Sequence, residues 1–233
     1  MRMILVATLA IAPLLAKESG SAERLDAAAN VFSEIMATPD KGIPQDLLEK
    51  AHCIVIVPSL KTAAFVVGAK YGKGYLSCRN KSEVGWSAPG TVRIEGGSFG
   101  FQIGASATDL VLLVMNQGGV DKLLQSKFTL GVEGSVAGGP VGRTATAQTD
   151  AQMHAEILSW SRSQGLFAGV ALEGATLRQD LDDNAELYGK PLDNREIVTT
   201  RVVPPMAAAK LIAELEKYHP VREHTSAEAG SSK

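Results

Sequence analysis

The sequence predicts an α+β domain, an antiparallel strand-rich sheet or partial barrel flanked by N- and C-terminal helices. Three observations point there. Glycine is abundant at 23 of 233 residues while aromatics make up only 5%, which suits a turn-rich, strand-containing fold better than a helical bundle. Short β-branched runs bounded by Gly, Pro and Ser fill the middle of the chain, as strands do. Apolar residues at spacings of three and four mark a helix near each end. With 45% hydrophobic and 21% charged residues, the chain has enough apolar surface for one sizeable domain.

The elements follow in order. Met1-Arg2-Met3 precedes Ile4 to Ala16, a run in which Thr8 is the only polar side chain. It is shorter than the roughly 20 residues that span a bilayer and has the length of a signal-peptide core. Residues 1–22 are read as an export signal, with Gly20 and Ala22 as the small residues of the cleavage site and a mature chain beginning near Glu23 or Lys17. The alternative is a hydrophobic first helix that stays with the domain. Export implies a periplasmic or secreted protein. The stripe Leu25, Ala28, Ala29, Phe32, Ile35, Met36 predicts an amphipathic helix, with Ser21 as its cap and Pro39 and Gly42 ending it. Pro44 opens a short second helix to Lys50.

The period then changes. CIVIVPS, AAFVVGAKYG, KGYLSC and TVRIEGGSFGFQIG read as short strands, and DLVLLVM as a strand buried on both faces. Gly118 to Gln125 reads as one or two helical turns; FTLGVEGSVAG, EILSWSRS and LFAGVALEGATLRQ alternate again. Asp180 to Tyr188 reads as an acidic helix. A last helix runs from Pro204-Pro205 to His219, with Ala208, Leu211, Ile212, Leu215 and Tyr218 on one face. The domain is therefore placed at 23–190, a helical extension at 191–219 and a disordered tail at 220–233.

Motifs that suggest enzymes fail on context. GGSFG at 96–100 matches G-x-S-x-G, but a nucleophile elbow needs a helix directly after the serine. After Ser98 the alternation of Phe99, Phe101 and Ile103 with Gly100, Gln102 and Gly104 continues a strand. GGSFG reads as a glycine-rich hairpin. AGGPVGRT at 137–144 resembles a phosphate loop, with Ala137 for the first glycine and Arg143 for the lysine, and the polar TATAQTD after it starts no helix. His52, His154, His219 and His224 have no ligand spacing; His154 reads as a half-buried strand histidine. No catalytic residue, metal site or cofactor is expected.

Cys53 and Cys78 match no zinc pattern. Each lies in a strand-like segment, and either a disulfide across neighbouring strands or two buried thiols fits. Between Ala51 and Arg93 stand Lys61, Lys70, Lys73, Arg79, Lys81 and Arg93 against Glu83 alone, a local excess of positive charge in a chain of net charge -2. Such a segment suits an anionic surface such as phospholipid headgroups; solvated lysines on strand edges are the alternative. No recognition helix or aromatic interleaving accompanies it, which argues against nucleic acid.

Five blocks in order, CIVIVPSLKTAAFVVGAKYGKGYLSCR, GWSAPGTVRIEGGSFGFQIG, TDLVLLVMN, SKFTLGVEGSVAGGPVGR and SRSQGLFAGVALEG, resemble the SYLF domain, over roughly Ala27 to Tyr188. The resemblance implies a lipid-binding, non-enzymatic domain. Its eukaryotic members join FYVE or Src-homology modules and bind phosphoinositides, some fungal ones also actin; bacterial ones often stand alone behind an export signal. An N-terminal amphipathic helix contributes to membrane contact in eukaryotic members. Here that helix carries Glu23, Asp26 and Glu34 against Arg24, so its stripe is expected to pack on the domain. Anionic phospholipid at a membrane surface is the expected partner, through the six basic residues; a structural or protein-binding module of the envelope, holding another envelope protein, is the alternative.

Overall fold

A computed structural model describes residues 20–38, 42–80, 85–140, 154–163, 166–167 and 172–218. The expected leader before residue 20, Lys81, Arg143, His219, His224 and the tail 220–233 lie outside them. The α-helices among the described residues are α1 (Ser21–Met36), α2 (Gln45–Lys50), α3 (Gln117–Leu123), α4 (Leu181–Tyr188), α5 (Asn194–Thr199) and α6 (Ala209–Glu216). The strands are β1 (Cys53–Cys78), β2 (Gly90–Val114), β3 (Lys127–Thr129), β4 (Val136–Gly138), β5 (Ile157–Ser163), β6 (Leu166–Phe167) and β7 (Thr176–Gln179). They form one seven-stranded sheet, ordered β3-β7-β2-β5-β4, with β1 on β2 and β6 on β5. The class is α+β as expected, and all pairings but β4 with β5 are antiparallel.

The strands expected as separate short pieces are two long ones. β1 and β2 pair from Cys53↔Val114 to Leu76↔Gly90. Pro58 has no N–H to give a ladder, and the register shifts there, between Val57 and Leu60. Ser59 takes a positive φ of 55°, and its N–H donates to Asp109 Oδ1 at 3.0 Å. A bulge thus lets the strand pass through the proline instead of ending at it. The glycine-rich stretch makes no hairpin either: Gly96, Gly97, Ser98, Phe99 and Gly100 pair with Lys70, Ala69, Gly68, Val67 and Val66.

β1 curls until its two ends meet. Arg79 N–H donates to the His52 carbonyl at 2.8 Å, and Cys53 and Cys78 are joined by a disulfide with Cα atoms 3.9 Å apart. The backbones touch between these ends as well. A Cβ on Gly74 would lie 2.1 Å from the Ile56 carbonyl oxygen and 2.8 Å from Val57 Cα, so only glycine fits.

Side chains alternate across the pleat, so each strand feeds two cores. Val55, Val57, Leu110, Leu112 and Val114 join Phe128, Leu177 and Ile197 on one face. Ile54, Ile56, Val111, Leu113, Leu158 and Trp160 join α1, α2 and α6 on the other. DLVLLVM is therefore covered on both faces, between β1 and β5. The α1 stripe is buried at Leu25, Ala28, Ala29, Phe32 and Ile35. It packs on α6 through Leu211 and Leu215 and on the 3-10 turn before it (Met206–Ala208) through Ala208, with Phe32 and Tyr218 edge to face at 5.8 Å. Gly20, not Ser21, is the N-cap of α1; Ser21 is buried in its first turn, and its carbonyl accepts the Tyr75 hydroxyl. Asn116, Asp180 and Asp193 cap α3, α4 and α5 by accepting from Gly119, Asp183 and Glu196 N–H. His154 is exposed ahead of β5 rather than half-buried within a strand. No helix among the described residues is long and apolar enough to cross a membrane.

Candidate functional site

Of the six basic residues that sequence singles out, Lys81 lies outside the described residues, and the other five fall into different surroundings. Lys61 is exposed, opposite Ala107 on the β1–β2 ribbon. Lys70 is half-buried opposite Gly96, and burial holds its ammonium below the ordinary lysine value. Lys73 is opposite Arg93. Lys70 and Lys73 are three apart on one strand, so they belong to opposite faces.

Lys73 is held inside the protein. Its Nζ lies 3.1 Å from Asp183 Oδ1 and 3.3 Å from Asp180 Oδ2. The other Asp183 oxygen receives Arg24 Nη1 at 2.5 Å. Side chains from α1, β1 and the first turn of α4 thus share one cluster, with Arg24 and Asp183 only 8% and 9% exposed. Burial opposes the Lys73 charge, but the hydrogen bond to Asp183 and the charges of Asp180 and Asp183 outweigh it and hold the ammonium above its ordinary value. Next to it, burial pushes the Tyr75 phenol up, against the Arg24 charge.

Arg79 and Arg93 are also engaged. Arg79 donates from Nη2 to the Leu48 carbonyl at 2.8 Å and from Nε to the Ala51 carbonyl at 3.1 Å. It thereby closes the C-terminal end of α2, and its guanidinium stacks 4.4 Å from the Trp86 ring centroid. Burial lowers its pKa, against the Glu49 charge. Arg93 Nε pairs with Glu95 Oε1 at 2.9 Å, and Arg178 reaches the same carboxylate at 3.5 Å. The structure therefore does not gather the described basic residues into one solvated patch: Lys73, Arg79 and Arg93 bind protein groups in the body of the domain, while Lys61 and Lys70 stand on the outer part of the ribbon.

Two features were not singled out from sequence. A pocket of about 580 Å³ opens beside the disulfide, between α2, α3 and α5. Lys50, Arg79, Arg195 and Arg201 line it against Glu49 and Asp121. The other is a buried polar network in which Asn184 accepts from Thr91 N–H at 2.8 Å and donates to Asn194 Oδ1 at 2.8 Å, while Asn194 donates to the Thr91 carbonyl at 2.9 Å. That network fixes α4 and α5 on β2. Among the described residues no group of three or more His, Cys, Asp or Glu is placed to hold a metal ion.

The family model Ysc84, described as "Las17-binding protein actin regulator", matches residues 95–218, from the middle of β2 through α6. The chain belongs to the Ysc84 (SYLF) domain family. Among its relatives, LAS seventeen-binding protein 3 of Saccharomyces cerevisiae is 34% identical over 180 residues, 76% of this chain and 39% of the yeast protein. An SH3 domain-containing protein of Schizosaccharomyces pombe is 36% identical over 172 residues, 72% of this chain and 40% of that protein. SH3 domain-containing YSC84-like protein 1 of Bos taurus is 31% identical over 190 residues, 80% of this chain and 55% of that protein. The chain thus spans from about two-fifths to about half of these relatives. The Ysc84 description denotes binding and regulation, and the name of the budding-yeast relative denotes binding.

Proposed function

We propose that this Ysc84 domain is an exported, non-enzymatic module that binds anionic lipid headgroups at a membrane surface. The observation that carries this reading is the outer part of the β1–β2 ribbon. Between Lys61 and Lys70, and between Glu95 and Asp109, the sequence has no charged residue. Lys61, Ala63, Ala69, Gly97 and Ala105 to Ala107 are exposed there. An uncharged ribbon bordered by lysines suits the boundary between headgroups and water. Lys61, Lys70 and Lys81 are the proposed headgroup contacts, and Lys73, Arg79 and Arg93 support the fold.

A lysine near an anionic membrane contributes about 1 kcal/mol, so replacing Lys61, Lys70 and Lys81 together by glutamine should weaken binding to phosphatidylserine vesicles about a hundredfold. Binding by the unaltered chain should fall steeply between low and physiological salt. Vesicle flotation measures both. Equal binding by the folded triple variant would move the contact elsewhere; no binding by the unaltered chain would end the lipid reading. The second reading is a protein-binding module, favoured by the Las17-binding description of the family.

A further inference from the structure

Cys53, Val55 and Val57 point to one side of the pleat, and the core on that side also takes in Cys78, Val120 and Leu124 at α3, and Val198 of α5. Cys53, Cys78, Val120, Leu124 and Val198 line the pocket between α2, α3 and α5 as well. The disulfide therefore sits at the base of an opening instead of inside a sealed core. At about 580 Å³ the pocket falls in the range of roughly 300–1,000 Å³ that receives small molecules. Its walls carry four cations, Lys50, Arg79, Arg195 and Arg201, against the carboxylates of Glu49 and Asp121. Arg79 is committed to the carbonyls of α2, whereas Lys50 and Arg195 are exposed.

Closing β1 on itself requires the bond, but not a cationic opening above it. We propose that Cys53–Cys78 is a thiol–disulfide exchange site for small thiols that carry an anionic group. Cys78 is 6% exposed and Cys53 1%, so the incoming thiolate attacks Cys78 Sγ. A bond forms between the thiol sulfur and Cys78 Sγ, the Cys53–Cys78 bond breaks, and Cys53 leaves as a thiolate that takes a proton from solvent. A second molecule of the same thiol attacks the sulfur of the first, which releases Cys78 as a thiol and the pair as a small disulfide. Two thiols are thus oxidised, and the protein disulfide takes up their two electrons. The excess of positive charge concentrates an anionic thiolate in the pocket and stabilises the thiolate that departs. The inference is independent of lipid binding.

The test follows reduction of the full, oxidised chain at low salt, with free thiols trapped by alkylation and counted by mass spectrometry. Mercaptoethanesulfonate, mercaptoethanol and cysteamine share one carbon frame, and their thiolates carry two, one and no net negative charges. Compared at equal thiolate concentration, mercaptoethanesulfonate should react about tenfold faster than cysteamine, with mercaptoethanol between them. The rate should rise in proportion to thiol and stay level in low urea. Lys50→Gln with Arg195→Gln leaves two cations against two carboxylates on the walls. It should bring the three rates together without moving the urea midpoint, since both side chains are exposed. Equal rates for the three thiols on the unaltered chain would overturn the proposal, as would charge selectivity that survives in the double variant. A rate that saturates with thiol and climbs with urea would also overturn it, because exchange would then occur only in the unfolded chain.

Discussion

Replacing Asp183 by asparagine removes the carboxylate that holds both Arg24 and Lys73. Arg24 would keep its place with its side chain 8% exposed, facing a neutral amide, while Lys73 retains Asp180 at 3.3 Å. Breaking a buried ion pair from one side costs about 3–5 kcal/mol, because a charge stays buried without its partner. The surviving Asp180 contact puts this case near about 3 kcal/mol. With a urea m-value of about 2 kcal/mol/M, the unfolding midpoint should fall by about 1.5 M. The pairing should be repairable. Arg24→Met combined with Asp183→Leu removes both charges and should recover most of the loss. The pH dependence has a defined sign. Lys73 is raised in the fold, so its contribution is fully present below the ordinary lysine value of about 10.4 and fades as pH rises through the higher folded value. The gap between the unaltered chain and D183N should persist from neutrality to about pH 10 and shrink above it. A midpoint shift under about 0.3 M at pH 7 would refute the reasoning. The same cluster explains why Lys73 is left out of the vesicle experiment, where its loss would act through the fold.

Two further outcomes are expected. The Cys53–Cys78 bond has a sequence separation of 25, and the chain-entropy estimate for such a loop gives about 3 kcal/mol; C53S/C78S should lose about that much in urea unfolding, and mass spectrometry of unreduced protein showing two free thiols would contradict the bond. If a leader is removed on export, cleavage should fall ahead of Gly20, nearer the Lys17 start, because a cut after Ala22 would remove buried Ser21 and the acceptor of the Tyr75 hydroxyl; N-terminal sequencing that finds Glu23 first on stable protein would contradict it.

Sequence showed most clearly what repeats locally. The helical stripes of α1 and α6 rest on a period of 3.6 and the strand Leu110 to Val114 on an unbroken apolar run, and neither needs knowledge of the rest of the chain. Continuity of β1 was hidden because Pro58 looks like a terminator until a bulge absorbs it. The glycines of 96–100 looked like a turn because glycine also serves where strands cross closely, as Gly74 does against Ile56. α5 had a readable signal, Asp193 three before Glu196, whose N–H it accepts at 2.7 Å. The ion cluster had none. Arg24, Lys73, Asp180 and Asp183 come from three separate stretches of the chain, and only the closed fold shows that Lys73 belongs with them instead of with Lys61.

The packing of α1 on α6 also fixes where the two ends of the domain emerge. Tyr218 lies against Phe32, eleven residues along α1 from Ser21, a span of about 16 Å at 1.5 Å per residue. Anything joined before Ser21 or after Tyr218 would therefore be tethered to the same flank. Through a short flexible linker, a module attached there would meet its neighbour at an effective concentration on the order of millimolar. A domain tethered this way fits into a longer protein without a change to its sheet, and the three relatives named above are proteins of which this chain spans 39% to 55%.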